Sequence, residues 1–351
     1  MKKKFIFLAV LAVFVLSAIS CARRDRLHIF NWAYYTPEAV IKQFEKEYNV
    51  RVIVDLFGSN EEMFARIRTG GTGFDIVFPT QDYVEIMMRL GMLERLDHSL
   101  IPNLKNICPH VLERAIYDPN MNYSVPYFWG APGIIVNTAR VPDFEKCWSI
   151  FARTDLRGRM TKLDDLREVI GNALVYLGFS INTTNPEEVF AARDFINTYW
   201  RPNLARFDGL TYGAGFANGE FWVVHGYAED VFLEIYDNEE LMRDTVFFIP
   251  PEGGSAFIDS MVILRGSRNV ELAHKFINFI HRPEIYAQFV DDFGFPASVN
   301  VPARELTRGF MGTGRTWYTF EDLIHLELKY DLGEALRYYH DAWFNSIRVG
   351  N

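Results

Sequence analysis

The chain has 351 residues, 49% hydrophobic and 15% aromatic, with a formal net charge of −9. Residues 1–20 hold three lysines and no acid, so the 331 residues that follow stand at −12. That length allows two lobes with substantial cores, and the negative charge sets nucleic acid aside as a partner. An acidic surface favours small cations, although the same charge would serve solubility alone.

The first element is Met1-Lys2-Lys3-Lys4, then the apolar run Phe5 to Ile19, then Ser20-Cys21. Such a run is short for a membrane-spanning helix, and its basic front and small residues behind are those of an export signal. The expectation is a signal peptide over 1–20 and a mature protein outside the cytoplasm. Cys21 stands where bacterial lipoprotein signals place the thiol that receives lipid, with residues 21–26 as the lipidated tether. Ala18-Ile19-Ser20 departs from the usual Leu-Ala-Gly in front of that cysteine, with Ala for Leu and Ile for a small residue. An ordinary secreted or periplasmic protein is the alternative. Beyond Cys21 only Cys108 and Cys147 remain. They allow one disulfide or two small buried hydrophobes, and the sequence has no Cys/His metal motif.

Leu27 to Trp32 reads as a buried strand. A helix follows, with Thr36 as its cap, Pro37 in its first turn and a stripe of Val40, Ile41, Phe44 and Tyr48. The β-branched run Val50 to Phe57 completes a strand-helix-strand unit of the kind that builds parallel sheets. A helix over 61–69 ending at Gly70-Gly71, a strand over 74–78 closed by Pro79 and a helix over 82–90 stopped by Gly91 repeat the pattern. Residues 124–137 look extended but are broken by Pro126, Gly130, Pro132 and Gly133, which suits a passage between lobes. Helices over 163–177 and 187–199 and strands over 221–224 and 245–249 form a second α/β set. After Pro250-Pro251-Glu252-Gly253-Gly254, a strand over 256–264 and an amphipathic helix over 270–280 offer a return to the first lobe.

Several local motifs occur in a fixed order. They are Asn31-Trp32-Ala33-Tyr34-Tyr35, Ser59-Asn60-Glu61-Glu62-Met63, Phe74 to Thr80, Val125-Pro126-Tyr127-Phe128-Trp129-Gly130 and Asp164-Asp165-Leu166-Arg167-Glu168. Gly219-Glu220, Gly253-Gly254 before Ile258-Asp259-Ser260, Ile277 to Ile280 before Arg282-Pro283, and Gly294-Phe295-Pro296 follow. Over about residues 27–348 this series resembles the spermidine/putrescine-binding proteins of bacterial polyamine ABC importers. The resemblance implies a two-lobed, type II periplasmic-binding-protein fold, each lobe a mainly parallel sheet flanked by helices with the ligand cleft between. The lobes are placed at 27–131 with 258–300 and at 132–257 with 301–351. It further implies a monomeric receptor that closes on putrescine or spermidine and delivers it to a permease and its ATPase, with no cofactor and no metal.

The same resemblance assigns the site. Carboxylates would replace the water around ammonium groups, and rings would meet the methylenes and add about 0.5 to 2 kcal/mol of cation–π attraction each. Trp32 and Tyr35 match the family's aromatic pair, and they end a strand, where α/β ligand sites gather. Asp165 and Glu168 match its paired acids, although both also suit a helix first turn. Asp259, inside Phe257-Ile258-Asp259-Ser260-Met261, matches its strand acid and is costly to bury unpaired. Thr80 matches a hydroxyl residue of the site. The departures are Tyr227 and Phe257 for tryptophans, Phe295 for a tyrosine, Asp82 for a tyrosine and Ala33 for a threonine. Asp82 could equally cap the helix that it begins. Lys329 stands for a glutamine at the far end of the longer amine, where its charge opposes a third ligand nitrogen unless it swings out or pairs with Glu327 or Asp331. From this follows the expectation that putrescine binds at least as well as spermidine.

Other readings are a receptor for a ferric ion, thiamine or a sugar, and a sensory surface lipoprotein. The 17 tyrosines permit ferric binding, but no paired-tyrosine motif stands out. No phosphate loop, GxSxG elbow or HExxH supports an enzyme, and His225 reads as a structural histidine.

Overall fold

Two mixed sheets flanked by helices carry the fold, in a computed structural model that describes residues 25–32, 35–70 and 73–349. The signal, Cys21, most of the tether and Ala33 lie outside the described residues. The strands are β1 (Arg26–Trp32), β2 (Arg51–Phe57), β3 (Ile76–Val77), β4 (Ser124–Gly130), β5 (Gly133–Asn137), β6 (Met160–Lys162), β7 (Leu204–Phe207), β8 (Val223–Gly226), β9 (Thr245–Phe248), β10 (Ser255–Ile263) and β11 (Glu327–Leu328). The first sheet runs β11-β10-β3-β1-β2, with β4 also on β10, and the second runs β7-β6-β8-β5-β9.

β1 buries Leu27, Ile29 and Phe30 and pairs in parallel with β2, from Arg26 opposite Arg51 to Trp32 opposite Phe57. The connecting helix Glu38–Tyr48 turns Val40, Ile41 and Phe44 inward. Thr36 is not its cap. The cap position is Pro37, while the Thr36 hydroxyl accepts from Asn31 Nδ2 at 2.9 Å and pairs with Tyr127 OH at 2.8 Å. Tertiary partners thus take the oxygen that the local pattern assigns to the helix.

Residues 124–137 split at Ala131-Pro132 into strands of different sheets, β4 antiparallel to β10 and β5 antiparallel to β8 and β9. The chain returns between β9 and β10, and after β11 it passes back to place the helix Leu336–Ala342 against Leu166–Tyr176 and Pro186–Phe195. Among the described residues the first sheet joins three parallel pairings and two antiparallel ones, and the second joins two of each. Strands that arrive directly from the other sheet need no crossover helix: β5 lies antiparallel to β8 and β9, and β10 lies antiparallel to β3 and β4 while pairing in parallel with β11. The helix expected over 163–177 begins at Leu166, because Asp165 is its N-cap and accepts from the amides of Arg167 and Glu168. The helix expected over 187–199 is Pro186–Phe195, continued by a wider turn through Ile196–Trp200. Cys108 and Cys147 are both free.

Beneath the second sheet, Lys162 is fully buried with its Nζ 4.4 Å from the rings of Trp148 and Trp200 and 4.2 Å from Phe151. Among the described residues this nitrogen makes no hydrogen bond. Burial pulls its pKa well below the usual lysine value, against the attraction of Glu168. The unfolded chain therefore binds the proton more tightly, and stability rises with pH until the unfolded lysine titrates. Lys162→Met fits the same slot without a charge, and calorimetry at pH 7 should show the melting temperature raised by about 2 to 4 °C. A lower melting temperature would show that the ring contacts outweigh desolvation.

Candidate functional site

The end of β1 and the middle of β10 meet at a short bond. The Tyr35 hydroxyl donates to Asp259 Oδ2 at 2.5 Å, across a ring cluster in which Tyr35 touches Tyr127, Phe128, Phe289 and Phe295. Asp259 lies opposite Phe128 of β4 at a register shift before Ser260, an irregularity of the kind that re-aims a side chain. It is 4% exposed, and its second oxygen, Oδ1, has no hydrogen-bond partner among the described residues. Burial raises its pKa to about 7, against the opposing effects of the Tyr35 bond and the Lys329 charge, while Asp82 adds to the rise. Trp32 is half-buried, donates its indole N–H to the Phe78 carbonyl at 2.8 Å and packs on Phe57. Thr80 bridges backbone to backbone with Asp259, and its hydroxyl donates to Asp82 Oδ1 at 2.5 Å. Asp82 is thereby engaged by Thr80, which itself holds the cap position of the helix Gln81–Arg89 without accepting from a helix amide.

Glu168 faces this group from the helix Leu166–Tyr176. It is fully buried, accepts from the Ser255 hydroxyl and holds the Lys329 ammonium at 2.7 Å. Burial lowers the Lys329 pKa, but the carboxylates of Glu168, Asp165 and Asp82 outweigh it and hold the group above the ordinary lysine value. The partners expected for Lys329 are occupied elsewhere: Glu327 accepts from the Ser180 hydroxyl and the Ile181 amide, and Asp331 pairs with Arg89. Asp165 is exposed and sends Oδ1 to the helix amides, so it caps as a first-turn acid does. Glu168, three residues on, is the acid that the helix turns inward.

The rings join the two sides. Phe257 lies 6.0 Å from Phe128 and 5.8 Å from Tyr227, whose ring stands edge-on to it from the second sheet. Phe295 is 1% exposed and packs beneath Tyr35 and Phe128. The structure thus gathers Tyr35, Phe257, Asp259 and Phe295 on one side and Glu168, Tyr227 and Lys329 on the other, with Asp82 within electrostatic reach of both Asp259 and Lys329.

The motif series did not single out two further residues. Glu229, at the start of the helix Ala228–Ile235, is raised well above the carboxylate range by burial, with Asp230 and Asp259 adding to the effect. The acid pair directly after Tyr227-Ala228 was its available signal. Gln81, fully buried, donates to the Lys329 carbonyl at 2.8 Å and accepts from the Ile258 amide at 2.9 Å, tying Lys329 to the strand of Asp259. Nothing local distinguishes that glutamine from an exposed one. His225 is buried, within 3.0 Å of Asn172 Nδ2, and burial with the nearby lysines keeps it neutral. Surface concavities of about 590 and 460 Å³, one lined by Phe144 and Arg153 and the other by Arg140 and Trp222, contain none of the site residues.

A family model described as bacterial extracellular solute-binding protein matches residues 39–305. The chain is 32% identical over 338 residues to the spermidine/putrescine-binding periplasmic protein of Escherichia coli (strain K12), with 95% of each chain covered. It is 32% identical over 289 residues to a putrescine/cadaverine-binding protein of Pseudomonas aeruginosa, with 80% of each covered. Among solved structures, the TpPotD lipoprotein of Treponema pallidum superposes with a TM-score of 0.88 at 44% identity, covering 92% of this chain and 99% of that one.

Proposed function

The chain belongs to the bacterial extracellular solute-binding protein family, and from that premise we propose that it is a polyamine receptor, taking putrescine or spermidine between its lobes for delivery to an ABC permease. Asp259 carries the reading. A carboxylate that is 4% exposed, with one oxygen free of partners and a pKa raised to about 7, is poorly placed unless a cation joins it. Tyr35, Phe257 and Tyr227 supply faces for methylenes beside it, and Glu168, Glu229 and Asp82 supply further negative charge. A sugar offers no charge for Asp259 and Glu229 to neutralise, so the carboxylates favour an amine.

In this reading Trp32, Tyr35, Thr80, Asp82, Phe257, Asp259 and Phe295 act from the first lobe, and Asp165, Glu168 and Tyr227 from the second, with Lys329 beside the passage between them. Contacts to both lobes provide the differential affinity that drives closure. The protein works as a monomer held outside the cytoplasm by lipid on Cys21, and it performs no catalysis. The names of the relatives in E. coli and P. aeruginosa support the amine, and that of the T. pallidum structure supports the anchor. Isothermal titration with putrescine, spermidine and 1,4-butanediol tests the reading. Micromolar or tighter binding of the amines and no heat with the diol are expected; no heat with either amine would overturn it.

A further inference from the structure

Building on the polyamine reading, we propose that Tyr212 is a positioning residue, whose hydroxyl fixes the ring of Tyr227 in the aromatic wall of the site by relaying a helix cap from Asp230. Tyr227 follows β8 directly and stands at the cap position of the helix Ala228–Ile235, where its own side chain bonds no helix amide. Its backbone N–H donates to the Tyr212 oxygen at 3.2 Å, and the Tyr212 hydroxyl donates to Asp230 Oδ2. Asp230 is the third residue of that helix, and an acid there can reach back to the cap amide itself, as Asp322 does to the amide of Thr319 at 2.7 Å before the helix Phe320–Ile324. Ahead of Ala228–Ile235, a tyrosine from the helix Tyr212–Ala217 is inserted between acid and amide, so the same closure depends on a second element.

The packing admits this insertion. Tyr212 is 1% exposed. A Cβ at Gly226, the last residue of β8, would come 2.5 Å from the Tyr212 ring, and one at Gly213 would overlap the Asp230 carbonyl oxygen. These glycines let the ring lie against the end of the strand and bring the two helices together. Burial, with the charge and the bond of Asp230 adding to it, holds the Tyr212 hydroxyl above its ordinary pKa, so it keeps the proton that it donates. The closure sets the backbone of Tyr227, at φ −84° and ψ 138°, and with it the direction of the ring, which stands edge-on to Phe257 at 5.8 Å. Tyr35 and Phe295 are wedged among other rings, whereas Tyr227 is half-buried and depends on its backbone for aim. Without the hydroxyl, the Tyr227 amide loses its acceptor and the ring loses the geometry that presents it.

The test is a double-mutant cycle on putrescine affinity, measured by titration of the purified wild-type protein, Tyr212→Phe, Tyr227→Ala and the double variant. Tyr227→Ala should weaken binding about tenfold, through loss of the ring. Tyr212→Phe keeps the buried ring and should weaken binding about five- to tenfold, through loss of the hydroxyl. In the Tyr227→Ala background the same change should cost less than about twofold, because no ring is left to aim. Asp230→Ala breaks the relay from its other end and should follow the same pattern, so it serves if Tyr212→Phe does not fold. Equal losses in both backgrounds would show that Tyr212 acts elsewhere, and unaltered affinity in Tyr212→Phe would make the hydroxyl a structural brace; either result overturns the proposal, as does unweakened binding in Tyr227→Ala. A wild type that binds neither putrescine nor spermidine would overturn the receptor reading and this proposal with it, an outcome that its own titration tells apart from the others.

Discussion

Asp259→Asn is expected to weaken putrescine binding by about 30- to 150-fold, the effect of about 2 to 3 kcal/mol for a charge-assisted hydrogen bond to a buried partner. The same substitution should leave the amine-free protein at least as stable as wild type at pH 8. Asparagine preserves an acceptor for the Tyr35 hydroxyl at the position of Oδ2, yet brings no charge to be desolvated. The wild-type carboxyl has its pKa raised to about 7 from an ordinary 3.8, and that gap corresponds to about 4 kcal/mol against the ionised folded state. Titration with putrescine and thermal melts at pH 8 check both halves. Unaltered affinity would remove Asp259 from the site. Lost affinity with a much lowered melting temperature would instead make it a structural residue.

Amine affinity should fall as pH is lowered from 8 to 6, approaching about tenfold per unit below pH 7. The sign follows from the direction of the shift. Asp259 must be ionised to receive an ammonium, its amine-free pKa is about 7, and each proton that it holds has to be released on binding. The ligand amines, with lysine-like pKa values near 10, stay charged throughout. Glu229, raised by burial with the charges of Asp230 and Asp259 adding to the effect, acts in the same direction. Lys329 stays charged across this range, held up by Glu168, Asp165 and Asp82, and so contributes no slope. Stability of the amine-free protein has the opposite dependence. A buried acid with a raised pKa destabilises the folded state above that pKa, and the penalty disappears as pH falls toward the unfolded value. Titrations at pH 6, 7 and 8 in one ionic strength settle the matter. Flat affinity in wild type would show that Asp259 is not the group that meets the ammonium, whereas a slope lost in Asp259→Asn would identify it.

Legibility differed from residue to residue. The helix Val270–Ile280 and the strand Ser255–Ile263 are legible almost to the residue, because the helix repeats one apolar period and the strand is a nearly continuous apolar run. Thr36 reads as a cap from the sequence because a hydroxyl before a proline looks the same whether it caps a helix or binds a tyrosine 91 positions away. Of the two acids three residues apart, Asp165 keeps the capping role that its position suggests, and Glu168 loses its solvent altogether. No local pattern separates those outcomes, since they depend on which face of the helix the first sheet covers.

The sequence by itself determined the α/β periodicity, through local spacing, and the two-lobed class and the candidate site residues, through the resemblance carried by an ordered motif series. Only the tertiary structure decided that Lys329 pairs with Glu168, that Asp259 meets Tyr35 and that the charge of Asp259 acts on Glu229. Those partners lie 161 and 224 positions apart for the first two pairs. Their energies depend on burial and on neighbouring charge, quantities that exist only once the chain has folded.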